Sequence, residues 1–161
     1  MIQPLSYIHS DAKVADNVIV EPFTTIHKNV EIGEGTWVGS NVTIMSGARI
    51  GKNCKIFPGS VISGVPQDLK FDGEDSLAVI GDNTTIRECV TINRGTANKG
   101  ITKIGKNCLI MAYSHIAHDC SVGDFCVFSN NILIPRLEKI SQNNNALHLL
   151  GLLSDGGVHS H

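Results

Sequence analysis

An apolar residue recurs at every sixth position along most of this chain. A period of six is neither the 3.6 residues of an α-helical turn nor the alternation of a β-strand. It is typical of hexapeptide repeats, in which each repeat forms one side of a triangular coil. The repeated positions are Ile2, Ile8, Val14, Val20, Ile26, Ile32, Val38, Ile44, Ile50, Ile56, Ile62, Ile80, Ile86, Ile92, Ile104, Ile110, Ile116, Val122, Phe128 and Ile134. We therefore predict an all-β fold, a left-handed parallel β-helix of about seven coils over residues 1–134, followed by an irregular tail at 135–161.

A second, smaller residue follows each repeated apolar residue by four positions, as at Thr24 and Ser60. We expect these small or β-branched side chains to point inward near the corners, where a triangular section is narrow. Glycine often comes directly after the apolar residue, as at Gly33, Gly51 and Gly105. We expect these glycines to supply the backbone angles of the corners.

The chain contains five cysteines, which raises the question of a metal or disulfide site. Four of them occupy the small inward position of the repeat: Cys54, Cys108, Cys120 and Cys126. We interpret them as reduced packing residues, because free cysteine behaves as a small hydrophobe, and an odd number argues against a disulfide framework. The alternative is a metal site, since two of them lie close in sequence to His115 and His118.

Composition narrows the possible partners of the 161-residue chain. Its net charge is −2 and it has no run of five basic residues, so we expect no nucleic-acid partner. No apolar stretch is long enough to span a membrane. The first residues have neither the charged nor the apolar region of a secretory signal. We expect a cytoplasmic protein.

Two interruptions of the six-residue period predict loops, at residues 64–74 and 94–100. Loops on a rigid scaffold are where functional residues concentrate, although an exposed loop also tolerates charge without any function. A third feature lies within the repeat: His115 and His118 flank the inward Ile116, and Asp119 follows. Both imidazoles should project outward, and a histidine beside a carboxylate is a candidate general base.

Three segments of the chain, taken together, resemble one family of enzymes. They are QDLKFDGE, IRECVTINRGT and MAYSHIAHDCSVGDFCVFSNN, and the likeness extends to about Asn131. The family is that of the acyl-carrier-protein-dependent UDP-N-acetylglucosamine O-acyltransferases, which begin lipid A synthesis. The resemblance implies transfer of a 3-hydroxyacyl group from the carrier-protein thioester to the 3-hydroxyl of UDP-N-acetylglucosamine. It implies no metal or organic cofactor, because the thioester is already activated.

The resemblance also implies roles for individual residues. His118 matches the catalytic general base, and Asp119 would orient its imidazole and stabilise the imidazolium. The residues that match substrate-binding positions are Gln67, Asp68, Lys70 and His115. Asn93 stands where relatives carry histidine, so its contact with substrate is an open question.

Partners follow from the same resemblance. The family is trimeric, with active sites between neighbouring prisms, and cyclic homo-oligomers are common. The basic residues between 87 and 106 are candidates for a docking patch for the acidic carrier protein, or simply for a solvated surface: Arg87, Arg94, Lys99, Lys103 and Lys106. Two alternatives to the enzyme remain open. One is a non-catalytic truncated scaffold, and the other is a metal hydratase of the γ-carbonic-anhydrase type, although the spacing of the histidine pair does not match that enzyme.

The chain departs from the family after residue 134. Residues from about 137 to 161 resemble a fragment of the cofactor-independent phosphoglycerate mutases, with His159 at the position of a phosphoglycerate-contacting histidine. We expect this tail to be foreign to the acyltransferase, and either disordered or folded over the last coil as a cap. The family's oxyanion donor and its distal nucleotide contacts have no counterpart here. We therefore expect impaired acyl transfer, since one lost oxyanion donor costs roughly 10²–10³ in rate.

Overall fold

Short β-strands are the regular elements of the described part of the chain. The computed structural model describes residues 1–131 and the backbone of the strand at 133–134. The strands are β1 (Tyr7–Ile8), β2 (Lys13–Val14), β3 (Ile19–Val20), β4 (Thr25–Ile26), β5 (Glu31–Ile32), β6 (Trp37–Val38), β7 (Thr43–Ile44), β8 (Ala48–Ile50), β9 (Lys55–Ile56), β10 (Val61–Gly64), β11 (Leu77–Ile80), β12 (Thr85–Ile86), β13 (Thr91–Asn93), β14 (Ile101–Ile104), β15 (Leu109–Ile110), β16 (His115–Ile116), β17 (Ser121–Val122), β18 (Val127–Phe128) and β19 (Leu133–Ile134).

Successive strands belong to three different parallel sheets. Sheet 1 has the order β1-β4-β7-β10-β13-β16-β19, sheet 2 contains β2, β5, β8, β11, β14 and β17, and sheet 3 contains β3, β6, β9, β12, β15 and β18. Three consecutive strands therefore complete one turn, and each strand pairs with its counterpart in the next turn. The fold is the predicted left-handed parallel β-helix of hexapeptide repeats. The described residues form six complete coils and the first strand of another.

The core is a column of stacked side chains from the repeated apolar positions. Ile26, Ile44 and Ile62 lie in register on adjacent strands of sheet 1 and are fully buried. Full burial of one such side chain contributes about 1.5–3 kcal/mol, and each coil supplies three. The positions from Val20 to Phe128 are all buried, whereas Ile2 at the open end is 58% exposed. Among the described residues no coil lies beneath the first one, so its apolar residues are only partly covered.

The corners are made differently from the expectation. The residue with positive φ is the one just before the small inward residue, and it is often asparagine, as at Asn53 (φ 54°) and Asn107 (φ 55°). Asparagine tolerates this left-handed conformation better than most residues. Gly33, Gly51 and Gly105 do not have positive φ, so the prediction that they supply the corner angles is wrong. They are needed for close approach, because a Cβ on Gly33 would lie 2.8 Å from the backbone of Gly51 in the next coil.

The inward cysteines are free thiols, as predicted. Cys54, Cys108 and Cys120 are buried, while Cys126 in the last described coil is half-buried and packs on the core. Burial raises the pKa of the Cys54 and Cys108 thiols, which keeps them protonated and unreactive. Within residues 1–131, no three side chains of histidine, cysteine, aspartate or glutamate converge in a way that would hold a metal ion.

Both predicted loops leave the β-helix at one corner. The first connects β10 to β11 and the second connects β13 to β14, so each joins sheet 1 to sheet 2. Ile44 pairs with Ile62, eighteen residues on, but Ile62 pairs with Ile92 after thirty and Ile92 with Ile116 after twenty-four. The insertions are whole multiples of six, which is why the period resumes unchanged after each loop.

The described residues include no helix with the length and apolarity that a membrane crossing requires. The sequence predictions for 135–161, including the cap and the role of His159, concern a segment outside the described residues.

Candidate active site

Three consecutive coils bring their sheet 1–sheet 2 corners together. The first two corners are the loops, and the third is the connection from β16 to β17, which carries His118 and Asp119. Because parallel coils stack these corners, residues far apart in sequence meet in one cleft of about 390 Å³. The cleft is lined by Asp68, Lys70, Glu74, Thr96, Ala97, Asn98, His118 and Asp119. Four of the six predicted site residues are therefore neighbours.

His118 and Asp119 form a hydrogen-bonded pair. Nδ1 of His118 lies 2.9 Å from Oδ2 of Asp119. The imidazole is 21% exposed and the carboxylate only 1%. The histidine thus projects outward, as predicted, but the aspartate is buried in the corner with φ of 60°. The backbone turn there directs these two adjacent side chains toward each other.

Thr96 holds the Asp119 carboxylate from the preceding coil. The Thr96 amide donates to Oδ1 over 2.9 Å and its hydroxyl donates to Oδ2 over 2.6 Å. Burial alone would raise the pKa of Asp119, but the hydrogen bonds from Thr96 and His118 outweigh it and hold the pKa below the usual value. An ionised carboxylate only accepts hydrogen bonds, so Nδ1 of His118 must carry the proton. Nε2 is then the free basic nitrogen.

His115 is engaged elsewhere. Its Nδ1 lies 2.7 Å from the hydroxyl oxygen of Thr91, the residue directly opposite on β13. Burial lowers the pKa of His115, and the nearby His118 lowers it further. The ring is half-buried beside the cleft and does not line it.

The first loop presents two side chains of opposite charge to the cleft. Asp68 accepts a hydrogen bond from the Lys70 amide at 2.9 Å, which closes a tight local turn. The Lys70 side chain is exposed. Gln67 is also exposed but lies outside the cleft. The guanidinium of Arg94 lies 5.2 Å from the centre of the Phe71 ring, so the second loop packs on the first.

Glu74 joins the two loops and was not among the predicted site residues. Its carboxylate accepts hydrogen bonds from the Ala97 amide at 2.7 Å and the Asp72 amide at 2.9 Å. Hydrogen bonds from its own amide and from these two amides hold the pKa of Glu74 below the usual value, against the opposing effect of burial. The sequence signal was a charged residue at a repeated apolar position. That signal identified a loop but not the atoms the side chain would contact.

Asn93 is buried, with 5% of its surface exposed. Its side-chain amide donates to the Val65 carbonyl at 2.8 Å, and its Oδ1 has no hydrogen-bond partner among the described residues. The side chain therefore anchors the start of the first loop.

The basic residues at 87–106 do not form one patch. Arg94 and Lys99 lie at the cleft corner, Lys103 lies on sheet 2, and Lys106 and Arg87 lie at the two other corners. Several are already paired: Arg87 with Glu88 and Phe57, and Lys106 with Asp82. The six-residue period, which rotates each repeat to the next face, separates side chains that are close in sequence.

Two family models match parts of the chain. The bacterial transferase hexapeptide model, with six repeats, matches residues 29–64 and 101–131. The model of the BPG-independent PGAM N-terminus matches residues 118–161. This second match confirms the mutase-like character predicted for the tail. It begins earlier than expected, at residues that form β17 and β18 of the β-helix.

The individual relatives are UDP-N-acetylglucosamine acyltransferases, as the resemblance in the sequence predicts. The acyl-[acyl-carrier-protein]–UDP-N-acetylglucosamine O-acyltransferase of Saccharophagus degradans is 44% identical over 131 residues, which are 81% of this chain and 51% of the relative. The structure of a UDP-N-acetylglucosamine acyltransferase from Bacteroides fragilis has 51% identity and a TM-score of 0.82, covering 83% of this chain and 52% of that one. The Arabidopsis UDP-N-acetylglucosamine acyltransferase has 34% identity and a TM-score of 0.65, covering 83% and 55%.

The fold, the repeat and the cleft define a hexapeptide-repeat protein of the left-handed β-helix class. Within that class, the β-helical residues resemble the acyl-[acyl-carrier-protein]–UDP-N-acetylglucosamine O-acyltransferases, which confirms the resemblance seen in the sequence. The chain spans about half the length of these relatives.

Proposed function

We propose that this chain is an O-acyltransferase that moves a 3-hydroxyacyl group from acyl-carrier protein to the 3-hydroxyl of UDP-N-acetylglucosamine, in the first step of lipid A synthesis. The observation that carries the proposal is the bond between Nδ1 of His118 and the buried Asp119 at 2.9 Å, with the imidazole facing a cleft. A neutral histidine oriented by an ionised carboxylate is the arrangement that general-base catalysis requires.

In this proposal Nε2 of His118 takes the proton from the sugar hydroxyl as its oxygen attacks the thioester carbonyl. A carbon–oxygen bond forms, the carbon–sulfur bond then breaks, and the carrier-protein thiolate leaves and takes up the proton. Asp119 stays ionised and stabilises the imidazolium while it carries the proton. No redox change occurs, so these steps balance without a further reactant.

The first loop supplies the polar groups for the sugar nucleotide. Lys70 is an exposed cation at the cleft and suits a phosphate oxygen. Asp68 lines the same cleft and is a candidate acceptor for sugar hydroxyls. We assign Gln67 and His115 to the edge of the substrate site, because neither lines the cleft of a single protomer.

We include a homotrimer in the proposal because the outward face of sheet 1 is uncharged and that of sheet 2 is charged. An uncharged face is suited to burial against a neighbouring copy. The outward residues of sheet 2 include a ladder of charges formed by Lys13, Glu31 and Arg49, with ion pairs of 3.1 and 3.8 Å. The outward residues of sheet 1 are instead Tyr7, Thr25, Thr43, Val61, Thr91 and His115. This uncharged face borders the cleft, so a neighbouring copy seated there would close the site.

Acyl-carrier protein, the proposed donor, is acidic, and Lys99 and Lys103 are exposed near the cleft corner. We expect that reversing both to glutamate raises the apparent KM for the carrier protein through weaker electrostatic steering. Lys55→Glu, on sheet 3, is the matched control.

A cytoplasmic location accords with five free cysteines, which a reducing compartment preserves.

The test is an assay of 3-hydroxyacyl transfer from acyl-carrier protein to UDP-N-acetylglucosamine, with light scattering on the same sample. The expected result is acyl transfer by a trimer at an impaired rate, reduced about 10²–10⁴-fold further in His118→Ala. His9→Ala, in the first coils, serves as the control. A folded trimer without transfer would favour the scaffold reading. Stoichiometric zinc in the purified protein would favour the hydratase reading.

A further inference from the structure

Five buried threonines fall at the small position of the six-residue repeat, and Thr96 bonds differently from the others. The Thr102 hydroxyl accepts a hydrogen bond from the Asp119 backbone amide at 2.9 Å. Thr24, Thr36 and Thr84 each donate a hydrogen bond to the carbonyl of a glycine at a corner of a neighbouring coil. Each also accepts a hydrogen bond from the backbone amide of the inward residue in that same neighbouring coil. These threonines link one coil to the next, and their hydroxyls serve the backbone alone.

The Thr96 hydroxyl accepts a hydrogen bond from the nearby Asn98 amide at 3.4 Å, but it does not donate to a glycine carbonyl. The hydroxyl donates instead to Oδ2 of Asp119 at 2.6 Å, the same oxygen that accepts from His118. The Thr96 amide donates to Oδ1 of the same carboxylate at 2.9 Å. The bond to Oδ2 has the length expected of a charge-assisted hydrogen bond between a hydroxyl and a carboxylate. Thr96 therefore fixes both oxygens of the group that orients the candidate base.

The backbone around Thr96 is itself tightly held. The Gly95 amide donates to the Leu77 carbonyl at 3.1 Å, and the Leu77 amide donates to the Gly100 carbonyl at 2.9 Å. The Gly100 amide in turn donates to the Thr96 carbonyl. A Cβ at Gly95 would lie 2.1 Å from the Ile101 nitrogen, so the loop closes at a point where only glycine fits. Thr96 is buried, with 6% of its surface exposed where it lines the cleft.

We propose that Thr96 is a positioning residue for the acyl transfer, acting through Asp119 to set the orientation and the tautomer of His118. This inference rests on the proposed function for its catalytic meaning, although the hydrogen bonds that carry it do not depend on the substrate. Thr96 donates a hydrogen bond to each oxygen of the Asp119 carboxylate. Oδ2 accepts one further hydrogen bond, from Nδ1 of His118. The imidazole is then locked with its proton on Nδ1 and with Nε2 free.

The experiment compares Thr96→Val with Thr96→Ser in the full chain. Valine keeps the branched shape and the amide but removes the hydroxyl, whereas serine keeps the hydroxyl. Thr84→Val is the matched control, because Thr84 is also buried and its hydroxyl bonds only backbone. Two NMR readouts without substrate report the contact: the ¹⁵N shifts of His118, which give its tautomer, and the carboxyl ¹³C titration of Asp119.

We expect Thr96→Val to raise the pKa of Asp119, since one of the hydrogen bonds that lower it is removed, and to give His118 a mixture of tautomers. Thr96→Ser and Thr84→Val should keep the wild-type spectra. In the transfer assay, kcat should fall about tenfold in Thr96→Val with KM for the sugar nucleotide unchanged, less than the 10²–10⁴-fold expected for loss of a general base.

Unchanged Asp119 titration and an unchanged His118 tautomer in Thr96→Val would overturn the proposal, whatever the activity. So would equal spectral changes in Thr84→Val, because they would show a general effect of losing a buried hydroxyl. If the spectra change as expected but the wild-type chain transfers no acyl group, the proposed function fails while the positioning contact stands.

Discussion

Asp119 is the single residue whose environment the sequence anticipates least. The motif indicated an outward histidine followed by an acid, and nothing in it indicated that the acid would be 1% exposed and bonded to a residue 23 positions earlier. The bonds to Thr96 and His118 lower the pKa of Asp119 below its usual 3.8. The ionised form therefore stabilises the fold above pH 3.8, and this contribution is lost as the pH falls through the lower pKa of the folded protein.

We predict a pH-dependent difference between the wild-type chain and Asp119→Asn. At pH 7 the variant should have the lower free energy of unfolding. Asparagine has one acceptor oxygen and an NH₂ group in place of the second, so it cannot accept all the hydrogen bonds that Asp119 accepts. The difference should narrow as the pH falls from 3.8 toward the lower pKa of the folded wild-type carboxyl, because the unfolded chain takes up this proton first. Urea unfolding at a series of pH values measures this, with Asp75→Asn at an exposed position as the control. A difference that stays constant down to pH 2.5 would contradict the assignment.

Gly105 tests the corrected role of the glycines. A Cβ there would lie 2.4 Å from Oδ1 of Asp124 and 2.5 Å from the Gly123 backbone. Relieving that overlap requires two coils to separate, so we predict that Gly105→Ala lowers the free energy of unfolding by about 3 kcal/mol or more. Gly123 holds the same repeat position, and a Cβ there meets no described atom within 4 Å. Gly123→Ala should change stability by less than about 1 kcal/mol.

At the scale of elements, the sequence predicts the strands well and the loops only as gaps. Each strand carries one repeated apolar residue, and burial of that residue positions the strand. This position can be predicted without knowing any contact between residues far apart in the sequence. A loop has no such constraint. Its conformation depends on contacts such as Glu74 with the Ala97 amide, 23 residues away. That the two loops meet can be derived from the sequence. Insertions of twelve and six residues preserve the six-residue period, so both loops leave the β-helix at the same corner.

Glu74 is the contact between loops that we expect to matter most for binding. Glu74→Ala removes the acceptor for both the Ala97 and the Asp72 amides, so the loop that carries Asp68 and Lys70 loses its fixed position. We predict that KM for UDP-N-acetylglucosamine rises about tenfold, with a smaller change in kcat because His118 keeps its partner. Hydrogen exchange of the two amides should quicken in parallel. Asp75→Ala is the control, and an equal effect there would contradict the prediction.

The whole molecule is a stack in which each described coil contacts mainly the coils above and below it. Repeat proteins of this kind have a stability that is close to a sum of coil and interface contributions. The burial pattern is uneven along the stack, from 58% exposure at Ile2 to none at Ile86. The cleft lies at β10, β13 and β16, in the last three complete coils among the described residues. The candidate site thus lies far along the stack from the first coil, which carries none of its residues.

A gradient in the cost of core substitutions follows from this arrangement. Ile86→Ala removes a fully buried side chain between two coils, and we predict a loss of about 2–5 kcal/mol in the free energy of unfolding. Ile8→Ala makes the same chemical change in the first coil, where the side chain is half exposed and partial solvation limits the loss to about 1 kcal/mol. Equal losses, measured by denaturant unfolding, would mean that the first coil is covered in solution. A second copy of the chain on that end would then be detected as a concentration-dependent unfolding midpoint.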